Sequence, residues 1–174
     1  MSATVRPGRP LRVLVVNGPN LNLLGTREPA IYGRETLAEI NAALRTRAAE
    51  RGAEVDFFQS NHEGAIIDRL HRRDFDASIV NAGGLTHTSV SLRDALLAIE
   101  RPFVEVHLSD PSTREPFRQV NFLEDLALAR YVGMKAAGYH RALEDLARRW
   151  EAGEIEPRAL PAAAGGEEAD DARA

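Results

Sequence analysis

The sequence predicts an α/β fold in which a parallel sheet carries helices on both faces. Two observations lead there. Short β-branched runs alternate with amphipathic segments at helical spacing, and clusters of glycine, asparagine or proline separate the two kinds of segment. The length of 174 residues, with 44% apolar and 28% charged residues, suits one soluble domain with a full core.

The elements follow in order. Leu11–Val16 is a β-branched run that stops at the turn-forming Asn17-Gly18-Pro19-Asn20. Thr36–Arg51 places Leu37, Ile40 and Leu44 at helical spacing and ends at Gly52. Val55–Phe58 is a second strand. Ser60-x-x-Glu63 has the form of a capping box ahead of Ile66, Ile67 and Leu70, so a second helix is expected from there. Ala77–Val80 is a third strand, running into Asn81-Ala82-Gly83-Gly84. Ser89–Glu100 presents Leu92, Leu96 and Ile99 on one face and stops before Pro102. Phe103–Leu108 is a fourth strand, Ser112-x-x-Glu115 is read as the cap of a short helical turn, and Tyr139–Trp150 is a terminal helix. Residues 1–10 are expected to form a flexible arm and 11–155 the catalytic domain. Residues 156–174 are expected to be a disordered acidic tail, because their last stretch is small, acidic and nearly free of large apolar groups.

Composition narrows the function. A net charge of −4 without a basic block argues against nucleic acid as partner. The absence of cysteine removes disulfides, thiolate catalysis and cysteine-based metal sites. No apolar run is long enough for a membrane span and no secretory h-region opens the chain, so a cytoplasmic location is expected.

In parallel sheets ligands bind beyond the carboxyl ends of the strands, and the unusual polar residues lie there. After the first strand come Asn20, Arg27 and Tyr32; after the third, Asn81, Thr86, His87 and Ser89; the fourth carries Glu105 and His107 and leads to Ser109, Arg114 and Arg118. This set suits proton abstraction beside a carbonyl followed by loss of a hydroxyl, which needs a base, a donor to the enolate oxygen and an acid. Tyr32 can serve as base if a cation such as Arg27 draws its phenol below the reference value of about 10. His107 suits the acid, and Glu105, two residues earlier on the same strand face, can orient it. Bland readings stand beside these: Tyr32 as half-buried packing, His107 as a hydrogen-bonded core residue, Arg114 and Arg118 as a solvated face. A His87–Ser89–Asp94 triad is rejected, because Ser89 sits where a helix cap belongs and no G-x-S-x-G elbow exists. A zinc site from His87 and His107 lacks a third ligand at usual spacing; no metal and no cofactor is expected.

Four segments, NGPNLNLLGTREPAIYG (17–33), QSNHEGAIIDRLH (59–71), IVNAGGLTHTSVSLRDAL (79–96) and VEVHLSDPSTREPFR (104–118), resemble the successive signature blocks of type II 3-dehydroquinate dehydratases, in order and over about residues 11–150. The resemblance implies a flavodoxin-like fold with strand order 2-1-3-4-5. It also implies dehydration of 3-dehydroquinate by anti elimination through an enolate, a reaction used both in the shikimate route to aromatic amino acids and in quinate breakdown. It makes Tyr32 the base beside Arg27, has Asn20 stabilise the enolate through an ordered water, and makes His107 the acid oriented by Glu105. Asn81 with the N–H groups of Leu108 and Ser109 would bind the carboxylate, His87 and Arg118 the ring hydroxyls, and Arg114 would belong to the closing site. Asp94 would reach into a neighbouring subunit's site, residues 25–34 would close as a lid, and the assembly would be a homododecamer, a tetramer of trimers. The chain departs from the family pattern at Gln119-Val120-Asn121-Phe122, and at Arg130 and Lys135, where small or apolar residues are usual. These changes bear on the fifth strand and the subunit contacts. The rival readings are a flavin-binding protein, disfavoured by the lack of a phosphate loop after the first strand, and a silent relative serving binding or assembly.

Overall fold

A computed structural model describes residues 8–26 and 28–159. The five parallel strands are β1 (Leu11–Asn17), β2 (Ala53–Gln59), β3 (Ala77–Asn81), β4 (Phe103–His107) and β5 (Ala129–Val132), in the order β2-β1-β3-β4-β5. This is the flavodoxin-like order. The helices are α1 (Pro29–Tyr32), α2 (Leu37–Glu50), α3 (Glu63–His71), α4 (Val90–Ile99) and α5 (Ala137–Glu151). None of the helices among the described residues is long and apolar enough to cross a membrane.

Strand alternation divides the core in two. Val13 and Val15 face Ile40 and Leu44 of α2 and Leu143, Leu146 and Trp150 of α5. Leu14 and Val16 face Ile66 and Leu70 of α3 and Leu92, Leu96 and Ile99 of α4. Central strands buried on both faces explain why β1, β3 and β4 read as continuous apolar runs.

Local signals are partly reassigned. Thr36 is the N-cap of α2 and forms a full capping box with Glu39, each side chain accepting from the other residue's backbone N–H. Gly52 follows at φ +63°, the left-handed geometry that stops the helix. The Ser60–Glu63 box does not form. Ser60 is held in extension of β2 by its N–H on Asn17 O (3.1 Å), and its hydroxyl accepts from His62 N (2.9 Å). The N-cap of α3 is therefore His62. Ser89 caps α4 by accepting from Leu92 N (2.8 Å), as read from the sequence. After β4, Pro111 and Pro116 break the chain into two 3-10 turns, Pro111–Thr113 and Pro116–Arg118, and Asp110 rather than Ser112 caps the first.

Asp76, fully buried just ahead of β3, ties down the rim opposite the carboxyl ends. It takes a bidentate pair from Arg9 (2.6 and 2.7 Å) and backbone N–H bonds from Arg12 (3.0 Å) and Arg158 (3.2 Å). Burial raises the Asp76 carboxyl, but these donors outweigh it and hold the group below the usual range. Residues 1–7 of the expected arm and 160–174 of the expected tail lie outside the described residues.

Candidate active site

The loops after β1 and β3 are drawn together by glycine. Gly18 N–H donates to Asn81 O (2.8 Å), and a Cβ on Gly18 would lie 2.3 Å from Ala82 O. The two asparagine-bearing loops can touch only because that atom is missing. Between them and the loop after β4 lies a cleft that brings together Asn20, Tyr32, Asn81, His87, His107, Leu108, Ser109, Arg114 and Arg118 from the expected set. Two described members of that set do not line it, and a third is not described. Glu105 stands behind His107, Asp94 is exposed on α4 away from this cleft, and Arg27 lies outside the described residues.

At one end of the cleft, Arg114 donates from Nη1 to the Tyr32 hydroxyl oxygen (2.7 Å), its guanidinium 5.7 Å from the ring centre. A cation therefore sits where a phenolate would need one. Arg114 also approaches Glu115 (3.7 Å), which is bonded by Arg118 Nε (2.6 Å).

At the other end, His107 Nε2 donates to Glu105 Oε1 (2.8 Å), which leaves Nδ1 for the cleft. Glu105 has no exposed surface. Oε1 also accepts from Thr86 Oγ1 (2.7 Å) and Asn121 Nδ2 (3.0 Å), and Oε2 accepts from Asn121 Nδ2 (2.8 Å) and Arg130 Nε (2.9 Å). Burial alone would raise this carboxyl. Hydrogen bonds from His107, Thr86 and Asn121, with the charge of a protonated His107, bring it down from 4.5 to about 2. Glu105 is ionised throughout the working range.

The remaining polar residues are aimed by neighbours. His87 Nδ1 is bonded to Val120 O (2.6 Å), leaving Nε2 for the cleft. Asn81 Nδ2 donates to the Tyr139 hydroxyl (2.8 Å), which in turn donates to Asn17 Oδ1. Burial pushes the Tyr139 phenol up, so it remains a donor. One N–H of Asn81 is thus spent on its support and the other can serve a ligand. Among the described residues no group of three or more His, Cys, Asp or Glu could hold a metal ion.

Sequence reasoning missed four supports. Thr86 was noticed only as a polar loop residue, and Tyr139 only as a helix start. Asn121 and Arg130 were visible as departures from a family pattern, but read as matters of β5 and subunit contact. The register Glu105↔Arg130 between β4 and β5 puts Arg130 on the acid end instead.

This fold and this cleft define a class of α/β enzyme with its site at the carboxyl ends of a parallel sheet, and the comparisons with known proteins are specific about which. The family model described as dehydroquinase class II matches residues 11–147. The catabolic 3-dehydroquinase of Emericella nidulans is 52% identical over 137 residues, covering 78% of this chain and 90% of that protein. The 3-dehydroquinate dehydratase of Methylococcus capsulatus is 53% identical over 135 residues, 76% and 91% of the two chains. The crystal structure of type II dehydroquinase from Butyrivibrio crossotus superposes with a TM-score of 0.76 at 38% identity, covering 79% of this chain and 97% of that one. The chain belongs to the class II dehydroquinase family.

Proposed function

We infer that the chain is a hydro-lyase converting 3-dehydroquinate to 3-dehydroshikimate by anti elimination, with Tyr32 as base and His107 as acid. The observation that carries the reading is the pairing of two supported groups on one cleft: a phenol bonded to the Arg114 guanidinium, and an imidazole backed by the buried Glu105 carboxylate.

The Tyr32 oxygen, as phenolate, takes a proton from the carbon beside the substrate ketone, and the electron pair moves onto the ketone oxygen as an enolate. Asn20, in the left-handed conformation at φ 69°, presents its side chain at the cleft and holds that oxygen through an ordered water. The enolate then collapses, the carbon–oxygen bond to the hydroxyl breaks, and His107 delivers a proton so that water leaves. Asn81 with the N–H groups of Leu108 and Ser109 takes the substrate carboxylate, and His87 and Arg118 take the ring hydroxyls. Arg27 is a second cation for Tyr32. Electrons and protons balance without an outside acceptor, so the reaction asks for no cofactor.

Mixing the protein with 3-dehydroquinate and following the ultraviolet absorbance of the conjugated enone tests this directly. Tyr32→Phe is expected to lower kcat by about 10²–10⁴-fold with KM close to the wild-type value. A Phe variant that keeps most of its turnover removes Tyr32 from the role.

A further inference from the structure

We propose that Arg130 is a positioning residue for the proton-donating step, holding the Glu105 carboxylate against His107 and balancing its charge once His107 has given up its proton. This deepens the reading of His107 as the acid and rests on it.

Glu105 is buried completely and accepts from four side chains. Two of them, Thr86 and Asn121, are neutral. His107 carries charge only in half of the cycle. Arg130 alone among these four has a permanent positive charge, and it reaches Oε2 through Nε at 2.9 Å from the paired position on β5. A buried carboxylate left without a countercharge is costly.

The consequence is a matter of counting charges before and after transfer. With Arg130 in place, the pair of Arg130 and Glu105 is neutral whether or not His107 is protonated. Without it, protonated His107 and Glu105 balance each other, and proton donation leaves an uncompensated carboxylate in the core. Transfer then runs uphill and His107 holds its proton more tightly. Arg130 makes the acid willing to let go.

The other charged groups facing this cluster modulate the effect without replacing it. Glu124 takes Arg130 Nη1 (2.6 Å) but is half exposed, so solvent screens its share. Asp110, three residues past β4, feels both His107 and Arg130. Arg114, Arg118 and His87 share the cleft with His107 on its other side.

The test is the pH dependence of kcat and KM for the wild-type protein, Arg130→Met, Arg130→Lys and Glu124→Gln, with His107→Ala alongside. Arg130→Met is expected to lower kcat about tenfold and to move its alkaline limb up by about one pH unit, with KM within about twofold. Arg130→Lys, which restores the charge, should return the limb most of the way. Glu124→Gln, which leaves Arg130 wholly to Glu105, should move it slightly down. If Arg130 only fastens β5 to β4, Arg130→Met will melt earlier but its pH profile will superimpose on the wild type, and the proposal is overturned. Should Arg130→Met fail to fold, Glu124→Gln decides through the same limb, and an unmoved profile there overturns the proposal equally. His107→Ala separates the two levels: retained turnover there removes the acid role itself, whereas lost turnover leaves Arg130 to be judged alone.

Discussion

Among single residues, Glu105 carries a pH signature that reaches beyond the cleft. Its carboxyl stands at about 2 in the folded chain against an ordinary 4.5. A depressed folded value contributes stability that is fully present above 4.5 and is lost as the pH falls toward 2; the integral is on the order of 3 kcal/mol. Urea titrations at successive pH values should therefore show wild-type stability falling over that window more steeply than that of Glu105→Gln, which is the less stable protein at pH 7. Parallel curves would mean that the carboxylate is not ionised as its donors imply. At this scale the sequence was informative about the residues that line the cleft and poor on those that support them. Tyr32, in the loop region after β1, and His107, at the end of β4, stood out by their place beyond the strands and by the family resemblance, although each also had a structural reading, as packing and as a core residue. Arg114 was expected to belong to the closing site, and the structure bonds it to Tyr32, a pairing across 82 positions that no local spacing reveals.

Elements were legible where they are long or punctuated. β1, β3 and β4 announce themselves by β-branched runs, and α2, α4 and α5 by a periodic apolar face. Capping signals proved less reliable than periodicity. Ser60-x-x-Glu63 had the right spacing but lay on a strand extension, whereas the box that forms is Thr36-x-x-Glu39. Thr36→Ala should cost about 1 kcal/mol, read as a lower melting temperature with kcat unchanged; equal melting would mean that the box contributes nothing. β5 was the hardest element to read. Four residues with an arginine in second place have no intrinsic claim to be a strand, and Ala129–Val132 becomes one through pairing with β4 and packing of Tyr131 against the α2–α5 layer. Long-range pairing also decided what Arg130 touches.

For the whole molecule, strand order explains the division of labour between the two rims. The crossovers of a 2-1-3-4-5 sheet place the loops after β1, β3 and β4 side by side at the carboxyl ends, where the cleft opens. The opposite rim is given to stability, and Asp76 is its centre. Asp76→Asn should destabilise the fold by about 3 kcal/mol, seen as a lower urea midpoint, while kcat is unaffected because the change is on the far rim. An unmoved midpoint would make the Arg9 pair ornamental. The sequence offered no hint of this centre, because Asp76 lies in a short turn and its partners Arg9 and Arg158 are 67 and 82 positions away.

That meeting of partners means that, among the described residues, the backbone from Arg9 to Arg158 almost closes on itself. Arg9 bonds the carboxylate that Arg158 N–H also bonds, and its Nη2 reaches Arg158 O directly at 3.1 Å. Joining residues 9 and 158 by a short peptide in place of the segments beyond them, and cutting the backbone at another exposed turn, would keep every strand neighbour and leave the cleft uncrossed. Which residue comes first is thus a matter of genetic layout; the architecture itself has no preferred starting point.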